Sequence, residues 1–178
     1  MEITFTQANG DQDLNMILDL QMANHYSNLN PEEKSLEGFV TVRHDFHILK
    51  EMNRQCAHIL AKHKERVVGY ALCMHPTFAD SIPVLRPMFR EIVSVLPKER
   101  SFIAMGQVCV DREYRKMGLF RKLYQTMQLH TKDRFDCIIT EVDAKNQRSL
   151  QAHLAIGFQE LKRYSAGDTD WVVIILQN

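Results

Sequence analysis

Residues 102–120 decide the fold, and they read Phe-Ile-Ala-Met-Gly-Gln-Val-Cys-Val-Asp-Arg-Glu-Tyr-Arg-Lys-Met-Gly-Leu-Phe. The first nine are largely apolar on both faces, which predicts a central buried strand. A short polar loop with Arg115, Lys116 and Gly118 follows and opens directly into an amphipathic helix. Backbone N–H groups and the positive end of the helix dipole attract anions at such a junction. The stretch therefore predicts a seat for a ligand that carries phosphate.

Strand and helix patterns interleave along the rest of the chain, which predicts a mixed α/β class. The predicted strands are 2–6, 57–62, 66–74, 102–110, 137–142, 158–164 and 171–176. The predicted helices are 11–23, 30–38, one capped by Asp45, one opened by Pro87, one with its apolar stripe over 120–127, and 146–156. Segment 75–100 is longer than a strand connection needs. It is therefore either a lid or acceptor-binding segment, or a packed helical insertion or dimer surface.

The composition is that of one globular domain of 178 residues, with 45% apolar and 25% charged residues. Lys plus Arg and Asp plus Glu balance at 22 each, so no charge excess indicates nucleic acid or a membrane surface as a partner. The four cysteines are widely spaced, which favours buried free thiols. The N-terminal residues carry no signal-peptide pattern and no apolar run is long enough to span a membrane, so we expect a cytoplasmic protein.

A second pattern lies downstream of the loop. It consists of Asn146, Ser149, His153, Gly157 and Phe158. In this order, the loop pattern at Arg115, Gly118 and Phe120 and the second pattern resemble the GNAT superfamily of acyl-CoA-dependent N-acyltransferases. The resemblance covers about residues 102–161. Phe120 departs from the family, which usually has Gly or Ala there, and Lys116 replaces a common Gly. His153 replaces a tyrosine that protonates the leaving thiolate in many members.

The resemblance implies a GNAT-like α/β fold with a central, mostly antiparallel mixed sheet of about seven strands flanked by helices. In this family two neighbouring strands splay apart and the pantetheine arm of coenzyme A enters the gap; here these would be 102–110 and 137–142. The residues expected to bind acetyl-CoA or coenzyme A are Val108, Cys109, Val110, Arg115, Lys116, Met117, Gly118, Leu119, Phe120, Arg121, Asn146 and Ser149. Asn146 alternatively only caps its helix.

Two side chains are candidates for catalysis. Some family members carry a glutamate at the position of Glu141, where partial burial would raise its pKa and make it a better base. A structural carboxylate is the alternative, and Gln107 could only orient a water. His153 would protonate the thiolate, or would merely pack against coenzyme A. The oxyanion donor would be a backbone N–H within 108–110, so Cys109 is not expected to act as a nucleophile.

These observations predict a cytosolic N-acetyltransferase that moves an acetyl group to a primary amine by direct attack in a ternary complex. The alternative is a degenerate GNAT-like protein that binds coenzyme A or acyl-CoA as a sensor or structural ligand. A lysine-like amine titrates near 10.4, so its deprotonation at pH 7 costs about 4.6 kcal/mol, and an α-amine near 8 costs much less. Small amine and peptide acceptors both remain open, as does a homodimer. His44 and His47 have no further ligands at useful spacing, so no metal site is predicted.

Overall fold

The computed structural model describes residues 2–25, 27, 40 and 42–178, and it confirms the mixed α/β class. The strands are β1 Thr4–Gln7, β2 Ile59–His63, β3 Arg66–Met74, β4 Phe102–Val110, β5 Cys137–Asp143, β6 Gln159–Ala166 and β7 Thr169–Gln177. The helices of the described residues are α1 Asp11–Ala23, α2 Phe46–Gln55, α3 Arg86–Val95, α4 Leu119–Thr131 and α5 Gln147–Leu154. Short 3₁₀ turns lie at Pro76–Phe78, Pro83–Leu85 and Arg112–Tyr114.

The strands form one seven-stranded sheet in the order β1-β2-β3-β4-β5-β7-β6. The pairs β1–β2, β2–β3, β5–β7 and β7–β6 are antiparallel, and β4–β5 is parallel. The predicted strand count and the mostly antiparallel character are therefore confirmed. β3 and β4 begin and end where predicted, and the ends of the other strands differ from the predicted ones by at most two residues, which the apolar patterns alone do not define.

The chain divides into two compact units. The first comprises Met1–Met74 and Gly106–Met127, and the second comprises His75–Met105 and Gln128–Asn178. β4 and α4 each contribute residues to both units. No helix in the described part of the chain is long and apolar enough to cross a membrane.

Helix boundaries follow local capping chemistry. Asp45 caps α2 as predicted, because its side chain accepts a 2.9 Å hydrogen bond from the Ile48 N–H. Asp11 does not cap α1, since Gly10 is the N-cap and Asp11 is the first helical residue. The sequence spacing predicts an apolar stripe of Phe89, Ile92, Val93 and Leu96 for α3. Phe89, Ile92 and Leu96 are buried as predicted, but Val93 was wrong because it is 70% exposed, and Met88 is buried in addition. The helix predicted over 30–38 lies outside the described residues.

The parallel ladder between β4 and β5 is short. It pairs Phe102 with Cys137, Ile103 with Ile138 and Ala104 with Ile139. Just beyond it, the Thr140 hydroxyl donates to the Met105 carbonyl at 2.9 Å. Strands of nine and seven residues are thus paired over three positions only, which is compatible with the predicted splay.

Segment 75–100 contains a packed helix. Within the second unit α3 lies against β6, where Glu91 forms an ion pair with Lys162. The Lys162 ammonium also donates to the Ser94 hydroxyl at 3.0 Å. These contacts favour the packed helical insertion over a free lid.

Candidate functional site

The predicted phosphate seat is a loop with two residues in the left-handed region. Lys116 has φ +63° and Gly118 has φ +81°. Left-handed backbone costs a residue with a side chain about 1–2 kcal/mol, so glycine suits this loop and Lys116 carries this cost. A Cβ at Gly118 would meet no atom within 4 Å, so the conformation, not the space, demands glycine there. Lys116 thus has the backbone conformation that explains the family's glycine at this position.

The loop leads into α4 as predicted. The first helical hydrogen bond runs from the Lys122 N–H to the Gly118 carbonyl at 3.1 Å. Leu119, Leu123 and Tyr124 are buried and fix the start of this helix. The Phe120 ring packs edge-on against Tyr124 with ring centroids 5.2 Å apart. The bulky residue is therefore accommodated by a side-chain contact and does not require a change of the loop backbone.

Arg115 braces the loop from inside the first unit. Its Nε donates to the Val110 carbonyl at 3.1 Å, and its Nη2 donates to the Asn24 side-chain oxygen at 2.9 Å. Lys116 and Arg121 are exposed and can supply the positive charge at the loop surface. A direct contact of Arg115 with pyrophosphate stays a prediction.

Burial along β4 changes character at Gly106. Residues 102–105 are buried on both faces, and from Gln107 onward buried and half-buried residues alternate. Val108 and Val110 thus share the less covered face, as expected for a strand that receives a ligand. Burial raises the pKa of the Cys109 thiol to about 12, with Asp111 adding to burial and Arg115 opposing it. A thiol that stays protonated is a poor nucleophile, which agrees with the prediction that Cys109 does not act as a nucleophile.

Gln107 lies in a buried polar network of the first unit. Its Nε2 donates to the Val42 carbonyl at 2.9 Å. Its Oε1 accepts from the Tyr70 hydroxyl at 2.6 Å and from Gln21 Nε2 at 2.8 Å. The side-chain amide of Gln107 therefore has several protein partners, which weakens the alternative that it orients a catalytic water.

His44 ends this network. Its Nδ1 lies 2.9 Å from Gln21 Nε2, and its backbone N–H donates to Gln21 Oε1 at 2.9 Å. Burial lowers the pKa of His44 to about 4, and Asp45 only partly opposes this. Its Nε2 is buried and has no hydrogen-bond partner in the described part of the chain. The described residues also hold no cluster of His, Cys, Asp or Glu that could bind a metal ion, so His44 is not placed in a metal site.

Glu141 lies in the second unit, where β5 changes from full burial to alternation. Its Oε2 accepts a short hydrogen bond from the Tyr164 hydroxyl. Burial raises the pKa of Glu141 to about 7, although the Tyr164 hydrogen bond opposes the rise. Burial also raises the pKa of Tyr164, and the charges of Glu141 and Glu91 add to this, so the phenol stays protonated and donates. A half-buried carboxyl that titrates near neutrality is suited to general base catalysis.

The sequence did not predict Tyr164 as a site residue. It reaches Glu141 from β6, across β7, and its place depends on the register of the β6–β7 hairpin. That register shifts between Glu160 and Lys162, where β6 carries one extra residue. Such a bulge moves all later side chains along the strand, and no residue pattern marks it.

His153 lies on α5 in the second unit and is 2% exposed. Its Nδ1 lies 2.7 Å from the Ser149 carbonyl, and its ring packs edge-on against Phe158 with centroids 5.1 Å apart. Burial lowers the pKa of His153 to about 4, which the Ser149 hydrogen bond only partly opposes. A carbonyl can only accept, so Nδ1 carries the proton of the neutral ring. The other ring nitrogen, Nε2, then carries no proton that it could donate to a thiolate.

Asn146 caps α5, because its side-chain oxygen accepts from the Ser149 N–H at 3.1 Å. Capping therefore accounts for Asn146 in this structure, and a contact of Asn146 or Ser149 with pantetheine stays a prediction.

The predicted site residues fall into two groups. The loop and the end of β4 lie in the first unit, and Glu141, Asn146, Ser149 and His153 lie in the second.

The model of the acetyltransferase (GNAT) family matches residues 14–158. The fold is similar to that of ribosomal-protein-S18-alanine N-acetyltransferase from Escherichia coli, with a TM-score of 0.65 and 13% identity, covering 99% of this chain and 94% of that chain. It is also similar to that of Arabidopsis thaliana NAA60 in complex with acetyl-CoA, with a TM-score of 0.68 and 12% identity, covering 99% of this chain and 100% of that chain.

A third similar structure is the NatC complex bound to Gag peptide and CoA, with a TM-score of 0.70 and 16% identity, covering 100% of this chain and 99% of that chain. At these identities the likeness concerns the fold alone. A search of curated proteins gives no match.

Proposed function

The chain belongs to the acetyltransferase (GNAT) family, and from this premise we propose that it moves an acetyl group from acetyl-CoA to a primary amine by direct attack in a ternary complex. The observation that carries this proposal is the Glu141 carboxyl, half-buried and hydrogen-bonded to Tyr164. The degenerate alternative, a coenzyme A sensor, has no need of a carboxyl that titrates near pH 7. In the proposed enzyme, Glu141 accepts the proton that the amine loses.

The residues of the loop fit the proposed cofactor. Two left-handed residues and the start of α4 present backbone N–H groups, and exposed Lys116 and Arg121 add charge for the pyrophosphate. Acetyl-CoA supplies the thioester carbonyl that the amine attacks. A backbone N–H within 108–110 is the proposed oxyanion donor.

The acceptor we propose is the α-amine of a peptide or protein. A base with a pKa of about 7 lies within about one unit of an α-amine near 8, but more than three units below a lysine amine at 10.4. Proton transfer to Glu141 is therefore nearly balanced for the α-amine and strongly uphill for the lysine. The proteins named above as similar in fold include an alanine N-acetyltransferase and a complex that binds a peptide, which supports the same choice.

We propose that the thiolate leaves without an acid from the protein. A thiol titrates near 8.5, so at pH 7 to 8 the leaving group needs little assistance. The neutral His153 ring offers no proton from Nε2 at this pH, because Nδ1 carries it. The bond between carbonyl carbon and sulfur breaks with its electron pair on sulfur, and solvent protonates the thiolate after release.

Replacement of the base tests the proposal. The chain should first be screened with acetyl-CoA against tetrapeptide amides that carry each of the twenty residues at the first position, with free thiol as the readout. Glu141→Gln keeps an acceptor for Tyr164 but cannot take the proton, so kcat should fall by about 10²–10⁴-fold. The matched control is Asp143→Asn two residues along β5, which retains the acceptor for the Lys145 N–H and should stay near wild-type activity.

Ligand binding separates the enzyme from the sensor. Acetyl-CoA and coenzyme A should raise the melting temperature of the wild-type chain, and ATP should not. Gly118→Asp puts a side chain and a negative charge on the left-handed loop and should abolish the shift. Gly167→Asp, at φ +58° in the β6–β7 turn, controls for backbone strain alone. Binding without transfer to any tetrapeptide or small amine would instead establish the sensor.

A further inference from the structure

Asn24 lies at the C-terminal end of α1, in the same unit as loop 115–118. It is 6% exposed, although asparagine is mostly found at protein surfaces. Its Nδ2 donates to the Leu20 carbonyl at 3.0 Å, and its Oδ1 accepts from Arg115 Nη2 at 2.9 Å. A carbonyl can only accept and a guanidinium can only donate, so the two partners agree on one orientation of the amide. The side chain of Asn24 therefore joins α1 to the loop.

The backbone of Asn24 is held as well. Its N–H lies 3.2 Å from the carbonyls of Leu20 and Gln21, and its own carbonyl accepts from the Val40 N–H at 3.1 Å. As the C-cap of α1, it satisfies carbonyls of the last turn that have no partner within the helix. Each backbone and side-chain polar group of Asn24 thus has a partner. The residue is a fixed point against which Arg115 is held.

Arg115 connects this fixed point to the end of β4. Its Nε donates to the Val110 carbonyl at 3.1 Å, so one guanidinium bridges a strand end and a helix end. The planar guanidinium keeps its donors in one rigid arrangement, so acceptors on two separate elements fix the whole side chain. Its charge also opposes the rise in the pKa of Cys109, which places it beside β4. Arg115 is half-buried, whereas Lys116 is exposed.

The residue that follows Arg115 has a left-handed backbone. Lys116 has φ +63° and Gly118 has φ +81°, and the first of these is uncommon for a residue with a side chain. The loop presents its N–H groups to a phosphate only while it keeps this conformation. A site that is rigid before the ligand arrives binds more tightly, because less conformational entropy is lost on binding. An anchor directly before Lys116 is therefore expected to raise the affinity for coenzyme A without touching it.

We propose that Asn24 is a positioning residue for coenzyme A, and that it holds loop 115–118 in its binding conformation through Arg115. The proposal rests on the proposed function, since it requires coenzyme A at this loop. It gives Arg115 an indirect role in binding, in place of the expected charge contact with pyrophosphate. Because coupling between sites is reciprocal, coenzyme A at the loop should in turn stabilise the last turn of α1.

Substitutions at position 24 separate the bond to Arg115 from the bond to Leu20. Asn24→Ala removes both bonds, and Asn24→Asp keeps an oxygen for Arg115 but loses the donor to Leu20. By calorimetry, Asn24→Ala should raise the Kd of coenzyme A about 10-fold, and Asn24→Asp should raise it less than about threefold. Asn53→Ala is the matched control and should bind like the wild type, because Asn53 bridges the Ala8 carbonyl and the His58 N–H in the same unit.

A double-mutant cycle tests whether Arg115 acts through Asn24. Arg115→Ala should weaken coenzyme A binding at least as much as Asn24→Ala does. Adding Asn24→Ala to Arg115→Ala should cause no further loss, because the shared bond is already gone. Losses that add in full would show that the two residues act independently and would refute the proposal. Wild-type affinity in Asn24→Ala beside a weakened Arg115→Ala would assign Arg115 to a direct pyrophosphate contact and would also overturn it.

Hydrogen exchange provides a readout that needs no turnover. Saturating coenzyme A should slow exchange of the Asn24 and Val40 N–H groups in the wild type but not in Arg115→Ala. Unchanged exchange in a wild type that binds coenzyme A would refute this inference alone. A wild type that binds no coenzyme A would refute it together with the proposed function. Asn24-dependent binding in a chain without transferase activity would support the inference while refuting the proposed reaction.

Discussion

His44 and His153 form a matched pair with opposite chemistry. Both rings are buried, at 7% and 2% exposure, and burial lowers the pKa of each to about 4. The Gln21 amide nitrogen, which also donates to Gln107, donates to Nδ1 of His44, so the proton of the neutral His44 ring lies on Nε2. Ser149 accepts from Nδ1 of His153, so its Nε2 carries a lone pair. The same side chain is thus a donor in one unit and an acceptor in the other.

The comparison shows that the partner of one ring nitrogen decides what the other nitrogen can do. His153 lies at the motif position expected to supply a proton, yet its hydrogen bond to the Ser149 carbonyl places the ring proton on Nδ1 and leaves none on Nε2. His44 lies outside any motif, and its partner gives it the donor that His153 lacks. Residue type alone assigns neither role.

The largest expected effect is acid unfolding. His44, His58 and His153 stay neutral in the folded chain to about pH 4, 3 and 4, but titrate near 6.5 when unfolded. Below pH 6.5 the unfolded chain therefore binds more protons than the folded chain, and the free energy of unfolding decreases as the pH is lowered. At pH 4 the three rings together cost about 10 kcal/mol, which is comparable to the whole stability of a domain. Glu141 opposes them, since its raised pKa makes stability fall as pH rises from 4.5 to 7.

Urea unfolding from pH 7 to pH 4 measures this balance. The unfolding midpoint should drop steeply below pH 6.5. His44→Asn and His153→Asn should flatten the drop by similar amounts, because both rings have the same lowered pKa. Glu141→Gln should steepen it. A midpoint that does not change down to pH 4 would contradict the burial of these rings.

Much of the fold followed from local signals in the sequence. The buried strand at 102–110, the left-handed glycine at 118 and the Asp45 cap each depend on residues close in the chain. The loop and the resemblance to the family could therefore be predicted. Glu141 was also found, from the resemblance to the family and from its place near the end of an apolar strand, and its burial agrees with the predicted rise in pKa.

The partners of the candidate residues could not be predicted. Tyr164 meets Glu141 only because a bulge sets the register of the hairpin. Gln21 meets His44 across 23 residues, which depends on how a helix and a loop pack together. Because these partners set protonation, the chemistry of the site required the structure.

Tyr164→Phe tests whether a hydrogen-bond partner also sets the protonation of a carboxylate, that of Glu141. The phenol donates to Glu141 and so favours its charged form, which lowers the pKa of Glu141 against the effect of burial. Glu91 of α3, whose charge adds to the rise in the pKa of Tyr164, is paired with Lys162 of β6. Removal of the hydroxyl should raise the pKa of Glu141, so the acid limb of the kcat/KM profile should move up by about one pH unit.

Ser165→Ala is the matched control for this shift. It removes a 2.6 Å hydrogen bond to Asp170 from the same hairpin without touching Glu141. Its pH profile should coincide with that of the wild type. An acid limb that stays in place in Tyr164→Phe would mean that burial alone sets the pKa of Glu141.

The smallest expected effect is the most decisive for the pair of histidines. In His153→Asn, the side-chain amide can still donate to the Ser149 carbonyl, but the ring and its Nε2 are lost. A general acid contributes about 10²–10⁴-fold, so a catalytic His153 would make this variant nearly inactive. We expect kcat to fall less than about 10-fold, because a ring with a pKa of about 4 and its proton on Nδ1 has none to donate. A 100-fold loss with intact acetyl-CoA binding would restore His153 as the proton donor, and its opposition to His44 would then be structural only.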